Sequence, residues 1–179
     1  MFSFNNPAGA CSSCDGLGVQ QVFDPDKLIS HPELSLAEGV IKGWDRRSVF
    51  YFNQLQSVAE HYRFTLETPW QELARHEREV ILHGSGHDEI AFHYVNDRGR
   101  KVTRQHPFEG ILPNLQRRYR ETESNMVREE LARYITVQPC PACHGSRLRK
   151  ESRHVFIDER SLPEMVHLPI GEAWAYFKT

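Results

Sequence analysis

Two stretches of this 179-residue chain read alike. Cys11-Ser12-Ser13-Cys14-Asp15-Gly16 and Cys140-Pro141-Ala142-Cys143-His144-Gly145 are both Cys-x-x-Cys-x-Gly, and between them they use all four cysteines. A two-residue spacing lets both sulfurs of a pair reach one metal ion from a tight knuckle, and the glycine that follows lets the backbone fold close to the thiolates. Two such knuckles make a tetrahedral zinc site with Cys11, Cys14, Cys140 and Cys143 as ligands. Ligands distant in sequence can share one site when the ends of the intervening segment lie close in space. Such a site has no open coordination position, so the expected Zn2+ is structural: it holds shape and does no chemistry.

Other readings of the same cysteines stay open at this level. Cys-x-x-Cys is also a dithiol redox motif, although that motif usually opens a helix in a βαβ setting, whereas here glycines follow each pair and the flanks look like loops. Structural disulfides suit an oxidising compartment, and reactive single cysteines do not suit strict pairing. His144, beside the second pair, is an alternative ligand.

The cysteines divide the chain into a short head, a long middle and a tail. In the middle, Asp45 is placed to cap a helix whose apolar residues Val49, Phe52, Leu55, Ala59 and Tyr62 recur at steps of three and four. Thr68-Pro69-Trp70-Gln71 reads as the start of a second helix, with a capping hydroxyl, a first-turn proline and a glutamine that reaches back; it should run to about His83 and end near Gly84. From Glu89 the period changes to two, with Ile90, Phe92 and Tyr94 on one face, which predicts a strand. Asn96-Asp97-Arg98-Gly99 supplies turn chemistry, and Arg100 to Gln105 returns as an antiparallel partner. Helical character resumes from Leu112 to Ile135, with a break expected near Thr122 to Asn125. In the tail, Val155-Phe156-Ile157 looks like a strand and Gly171 to Phe177 like a helix. The fold class is therefore α+β: helices packed with a small antiparallel hairpin, attached to a four-cysteine zinc module formed by the two ends of the chain.

A composition of 39% hydrophobic, 26% charged and 11% aromatic residues argues against disorder, collagen or a membrane span. The opening Met-Phe-Ser-Phe-Asn-Asn-Pro lacks a basic and an apolar signal region, so a cytoplasmic location is expected. The net charge of −2 hides an asymmetry: Arg98, Arg100, Lys101, Arg104, Arg117, Arg118 and Arg120 face the single acid Glu109 within their span. Such a run is either a solvated face or the footprint of a polyanion. Arg46, Arg47, Arg147, Arg149 and Lys150 form a second basic set, and its tail members are also placed to brace the knuckles.

Several segments closely resemble the UvrA family, the damage-recognition ATPases of the bacterial excinuclease. They are Phe2-Ser3-Phe4-Asn5-Asn6-Pro7-Ala8-Gly9-Ala10-Cys11, Cys14-Asp15-Gly16-Leu17-Gly18-Val19-Gln20-Gln21, Gly43-Trp44-Asp45-Arg46-Arg47, His106-Pro107-Phe108-Glu109-Gly110 and Arg118-Tyr119-Arg120-Glu121-Thr122-Glu123-Ser124. A Cys-x-x-Cys-x-Gly pair alone also resembles the zinc module of DnaJ chaperones, but the long middle does not. The resemblance implies that residues 1–23 and 137–179 are part of a zinc-bearing signature domain, and that residues 24–136 are an inserted DNA-handling domain. It implies damaged double-stranded DNA, the remainder of UvrA and a UvrA dimer as partners, with UvrB docking through the longer protein and not through this segment. ATP belongs to that longer protein too: this chain has neither a Gly-x-x-x-x-Gly-Lys-Ser/Thr phosphate loop nor a Leu-Ser-Gly-Gly signature, so no ATP hydrolysis is expected of it alone. UvrA carries a further Cys-x-x-Cys just upstream of the matching region, and pairing of Cys11 and Cys14 with that motif is the alternative to the site above.

A mobile DNA clamp is one consequence, with Arg98, Arg100, Lys101, Arg104, Arg117, Arg118 and Arg120 on backbone phosphate; a damage scanner has to tolerate any sequence, which phosphate contacts do. The rival is a protein-docking module anchored by Trp44, Trp70 and Tyr119. An independent hydrolase finds no support in the ten scattered histidines, none of which forms His-Glu-x-x-His.

Overall fold

In the computed structural model, which describes residues 2–95 and 101–178, the chain runs through β1 (Val19–Phe23), α1 (Pro25–Leu28), α2 (Val49–Tyr62), a single 3-10 turn (Trp70–Glu72), α3 (Arg75–His83), β2 (Glu89–Val95) and β3 (Lys101–Pro107). It continues through α4 (Ile111–Glu121), α5 (Asn125–Ala132), β4 (Ile135–Pro139), α6 (Lys150–Arg153), β5 (Phe156–Ile157), β6 (Arg160–Ser161), α7 (Leu162–Val166) and α8 (Ile170–Lys178). Among the described residues the strands make three two-stranded sheets, β1 with β4, β2 with β3, and β5 with β6. The architecture is thus mixed, helices packed with small sheets, and the latter two pairs are antiparallel.

The chain divides into two units, residues 23–136 and the combined ends, residues 1–22 with 137–179. Both crossings fall inside β1 and β4.

In the middle unit, local sequence accounts for most elements. The three-to-four periodicity of α2 buries Leu55, Val58 and Ala59, and α2 packs on β2, whose alternation puts Ile90 and Phe92 into the same core. The register pairs Ile90 with His106 and Phe92 with Arg104, and His106 stacks on Phe92 at 4.3 Å between ring centroids. The turn read at Asn96–Gly99 lies outside the described residues. Ser124 caps α5 by accepting the Val127 amide, which gives the break between α4 and α5 its cause.

Three local expectations are corrected. Asp45 does not cap α2; Ser48 holds that position, and the Asp45 carboxylate accepts from the Arg47 amide and guanidinium instead. The helix read from Thr68 is a 3-10 turn followed by a separate α3, because the amides of Trp70 and Gln71 donate to Leu34 and Pro32 rather than starting a helix. The start of α3 is closed by the Glu77 carboxylate, which accepts the Ala74 amide at 2.7 Å. Ile135 opens β4 and does not extend a helix.

Trp44 and Trp70 are 1% and 5% exposed, built into the core, and Tyr119 sets its ring edge-on against Phe23 at 6.1 Å. The two tryptophans therefore cannot be exposed docking anchors.

Candidate metal centre and basic surface

Each knuckle closes on itself through its own backbone. The Gly16 amide donates to the Cys11 carbonyl and the Leu17 amide to that of Cys14; in the second copy the His144 amide donates to Cys140 and that of Ser146 to Cys143. The residue after each second cysteine is left-handed, Asp15 at φ 48° and His144 at φ 52°, and the glycine after it likewise, Gly16 at 77° and Gly145 at 85°. Identical spacing thus produces the same left-handed turn after the second cysteine twice, with the bond back to the first cysteine closing one residue later in the first copy. Gly16 is doubly required, since a Cβ there would lie 2.0 Å from the Phe4 carbonyl oxygen.

Hydrogen bonds from the flanks bring the two copies together. Cys11 donates its amide to Arg147, Arg149 donates to Gly9, and Cys140 donates to Gly18. Arg149 also reaches the Ala8 carbonyl, and the Arg147 guanidinium lies over the Phe4 ring at 5.2 Å, so both brace this region. The outcome is a buried cluster in which the sulfurs of Cys11, Cys14, Cys140 and Cys143 all lie within 4.8 Å of one another.

A tetrahedron with metal–sulfur bonds of about 2.3 Å has edges of about 3.8 Å. The Cys14 and Cys143 sulfurs are 3.7 Å apart, so the donor set fits one thiophilic ion. All four cysteines are free thiols converging on one point, and neither pair opens a helix as the redox motif usually does. His144 is not among the converging side chains. Burial pushes the Cys14 thiol up to about 11, although the Gly18 amide at 3.2 Å from its sulfur works the other way. Burial also opposes ionisation of Cys140, but the amides of Cys143 and Ala142 outweigh it and bring that thiol down to about 7. Four thiolates in a buried cluster need a cation, and a divalent ion would supply the offset while locking head to tail.

The basic residues divide differently. Arg98 and Arg100 lie outside the described residues, and of Lys101 only the backbone pairing with Val95 is described. Arg104 and Arg120 are exposed and, among the described residues, without a carboxylate partner. Arg117 is committed within the fold: its guanidinium donates to Glu109 at 2.8 and 2.9 Å and to Glu121 at 3.3 Å. The Arg118 guanidinium lies over the Tyr51 ring at 5.6 Å. It lines a cleft of about 360 Å³ together with Lys42, Asp45, Arg47 and Glu130. Lys42 was missed as a member of the basic set because sequence clustering ranks neighbours along the chain; only the fold of the 42–48 loop onto α4 and α5 shows it.

The sequence profile of the UvrA DNA-binding domain matches residues 24–133. The chain belongs to the UvrA DNA-binding domain family. It is 59% identical over 176 residues to the UvrABC system protein A of Pseudomonas aeruginosa, which covers 98% of the chain and 18% of that protein. Against the same protein of Escherichia coli strain K12 it is 56% identical over 177 residues, covering 99% of the chain and 19% of the relative. This UvrA-family chain therefore spans about a fifth of the length of these relatives. The crystal structure of UvrA2 from Deinococcus radiodurans superposes with a TM-score of 0.65 at 22% identity, covering 99% of the chain and 23% of that structure, a likeness of fold.

Proposed function

We propose that the chain is the zinc-anchored, DNA-handling portion of a UvrA-type protein of nucleotide excision repair. Residues 1–23 and 137–179 form a zinc-bearing signature-domain portion, in which Cys11, Cys14, Cys140 and Cys143 bind one structural Zn2+. Residues 24–136 hold damaged double-stranded DNA through backbone phosphate, without reading sequence. Arg104, Arg118 and Arg120 carry the contact among the described residues, and Arg98, Arg100 and Lys101 join them; Arg117 contributes only by exchanging its carboxylates for phosphate. The remainder of UvrA, a second UvrA subunit and, through the longer protein, UvrB complete the machinery. ATP is bound outside this chain, which is not an enzyme by itself and works in the cytoplasm.

The family match over residues 24–133 carries this reading, because it covers the segment bearing the free arginines. Core burial of Trp44 and Trp70 weighs against protein docking by these anchors. Phosphate contacts release counterions, so affinity for a mixed-sequence duplex should fall steeply between two salt concentrations, with the slope dropping by about one unit for each contact removed. Charge reversal at Arg104 and Arg120 should weaken binding equally for unrelated sequences. Binding that ignores both salt and these reversals would sink the DNA reading. For the metal, elemental analysis should find one zinc per chain, and no metal bound in the purified chain would contradict the site.

A further inference from the structure

The cleft between the 42–48 loop, α4 and α5 holds a concentration of charge that neither the basic run nor the family match singles out. Lys42, Arg47 and Arg118 line it, with Asp45 and Glu130. The two carboxylates play different parts. Asp45 has a side chain only 5% exposed and holds the Arg47 guanidinium at 3.0 and 2.5 Å, while the Arg47 side chain itself is 82% exposed. That pairing fixes the fork in place and leaves its other N–H groups facing solvent, so little freedom is lost when they bind an anion. Asp45 is thus a structural mount.

Glu130 is an exposed carboxylate whose one hydrogen-bond partner among the described residues is the Lys42 ammonium at 2.7 Å, both side chains being open to water. An exposed pair of this kind contributes about 0–1 kcal/mol and exchanges readily. Glu130 is held below the usual carboxylate range by Lys42 first, with Arg133 and Arg118 adding to the attraction. Arg118 has no ion-pair partner among the described residues, only the Tyr51 ring. The cleft is therefore a cationic seat in which one of the chain's own side chains acts as the anion.

We propose that Glu130 is a placeholder for a nucleic-acid backbone phosphate, which displaces it from Lys42 and is gripped by Arg118 and the fixed fork of Arg47. This rests on the DNA-handling reading and names a seat for one phosphate within it. Leu115, Leu131 and Tyr134 on the same cleft provide apolar surface for the adjoining sugar.

The test is a salt-resolved titration of a mixed-sequence duplex with the metal-loaded 179-residue chain, comparing Arg118→Gln, Glu130→Gln and the control Glu129→Gln, which removes the same charge from the neighbouring position. Arg118→Gln should lower the salt slope by about one unit. Glu130→Gln should tighten binding by roughly fivefold and Glu129→Gln by clearly less, because only Glu130 occupies the seat. In the double variant Arg118→Gln/Glu130→Gln the gain should shrink, since the two side chains act on one phosphate. Equal gains at positions 129 and 130, or an unchanged slope in Arg118→Gln, overturn the proposal while wild-type salt dependence leaves the DNA reading standing. Wild-type binding indifferent to salt removes both. Inorganic phosphate compared with chloride at equal ionic strength separates a free anion from a strand: a rise in Tm with phosphate, with no substitution altering DNA affinity, assigns the seat to a small anion and overturns the proposal.

Discussion

Residues 23–136 and the two joined ends solve the burial problem in opposite ways. The middle unit closes over twenty buried apolar residues, among them Trp44, Leu55, Ile81, Ile90, Phe92 and Ile111. Among their described residues the joined ends bury, besides the four cysteines, only the apolar side chains of Leu148 and Met165. They leave Phe4, Leu17, Val137, Phe156, Trp174 and Ile170 in solvent, the last 90% exposed. A unit that small cannot bury enough apolar surface to offset the entropy of ordering its chain, and a metal staple is the usual remedy. One unit is thus held by the hydrophobic effect, and the other has four converging thiols where a metal would take over that part.

Stripping the metal should break that comparison most visibly. Structural zinc contributes about 10–16 kcal/mol of folding free energy in small modules, so chelation, or Cys140→Ser, should abolish amide protection in residues 1–22 and 137–179 while the middle unit keeps its own. Hydrogen exchange read by mass spectrometry checks this, and loss of protection in both units together would contradict their independence. The converse substitution is Trp44→Ala, which should cost the middle unit about 3–5 kcal/mol in chemical denaturation and leave the metal content per chain unchanged.

Smaller effects sharpen the picture of the middle unit. Gly84 ends α3 at φ 95°, where a Cβ would meet the Phe108 carbonyl oxygen at 2.4 Å. Gly84→Ala should therefore destabilise by about 1–3 kcal/mol, read as a lower Tm. The Glu109 carboxyl is held below its usual range by Arg117 above all, with burial opposing and Asn114 helping. A carboxyl depressed in the folded state stabilises fully above its unfolded pKa of about 4.3, and the contribution is lost as pH falls through the folded value. Both side chains are more than a third exposed, which limits the contribution to about 0–1 kcal/mol. The Tm difference between wild type and Glu109→Gln should be small at pH 7 and vanish in acid; a difference that grows on acidification would refute the linkage.

What the sequence made readable follows range. The knuckles were legible because ligand spacing and glycine placement are local rules, and α2 and β2 because a period of three to four, or of two, decides which face is buried. Convergence of Cys11 and Cys14 with Cys140 and Cys143 was inferred from stoichiometry and resemblance, and the coordinates supply the geometry. The β1–β4 pairing was not legible: Val19-Gln20-Gln21-Val22 carries little apolar signal, and Ile135 followed a helical pattern until its partner across the chain decided its state. Asp45 looked like a cap because caps are inferred from position, whereas its carboxylate is engaged by the guanidinium two residues on. The distinction between Arg117, tied to Glu109, and Arg118, open in a cleft, lies in tertiary contacts that adjacent identical residues cannot disclose.

The first and last residues of the middle unit are stitched to each other: the Asp24 amide donates to the Tyr134 carbonyl at 2.8 Å, and the Lys27 ammonium to that of Ile135 at 2.7 Å. A segment whose two ends meet behaves as a cassette. It can be excised and the gap bridged by a short turn, or exchanged for a longer or shorter graft, without moving the strands that frame it. Gain, loss and remodelling of this lobe are then single splicing events that leave the thiolate clasp intact.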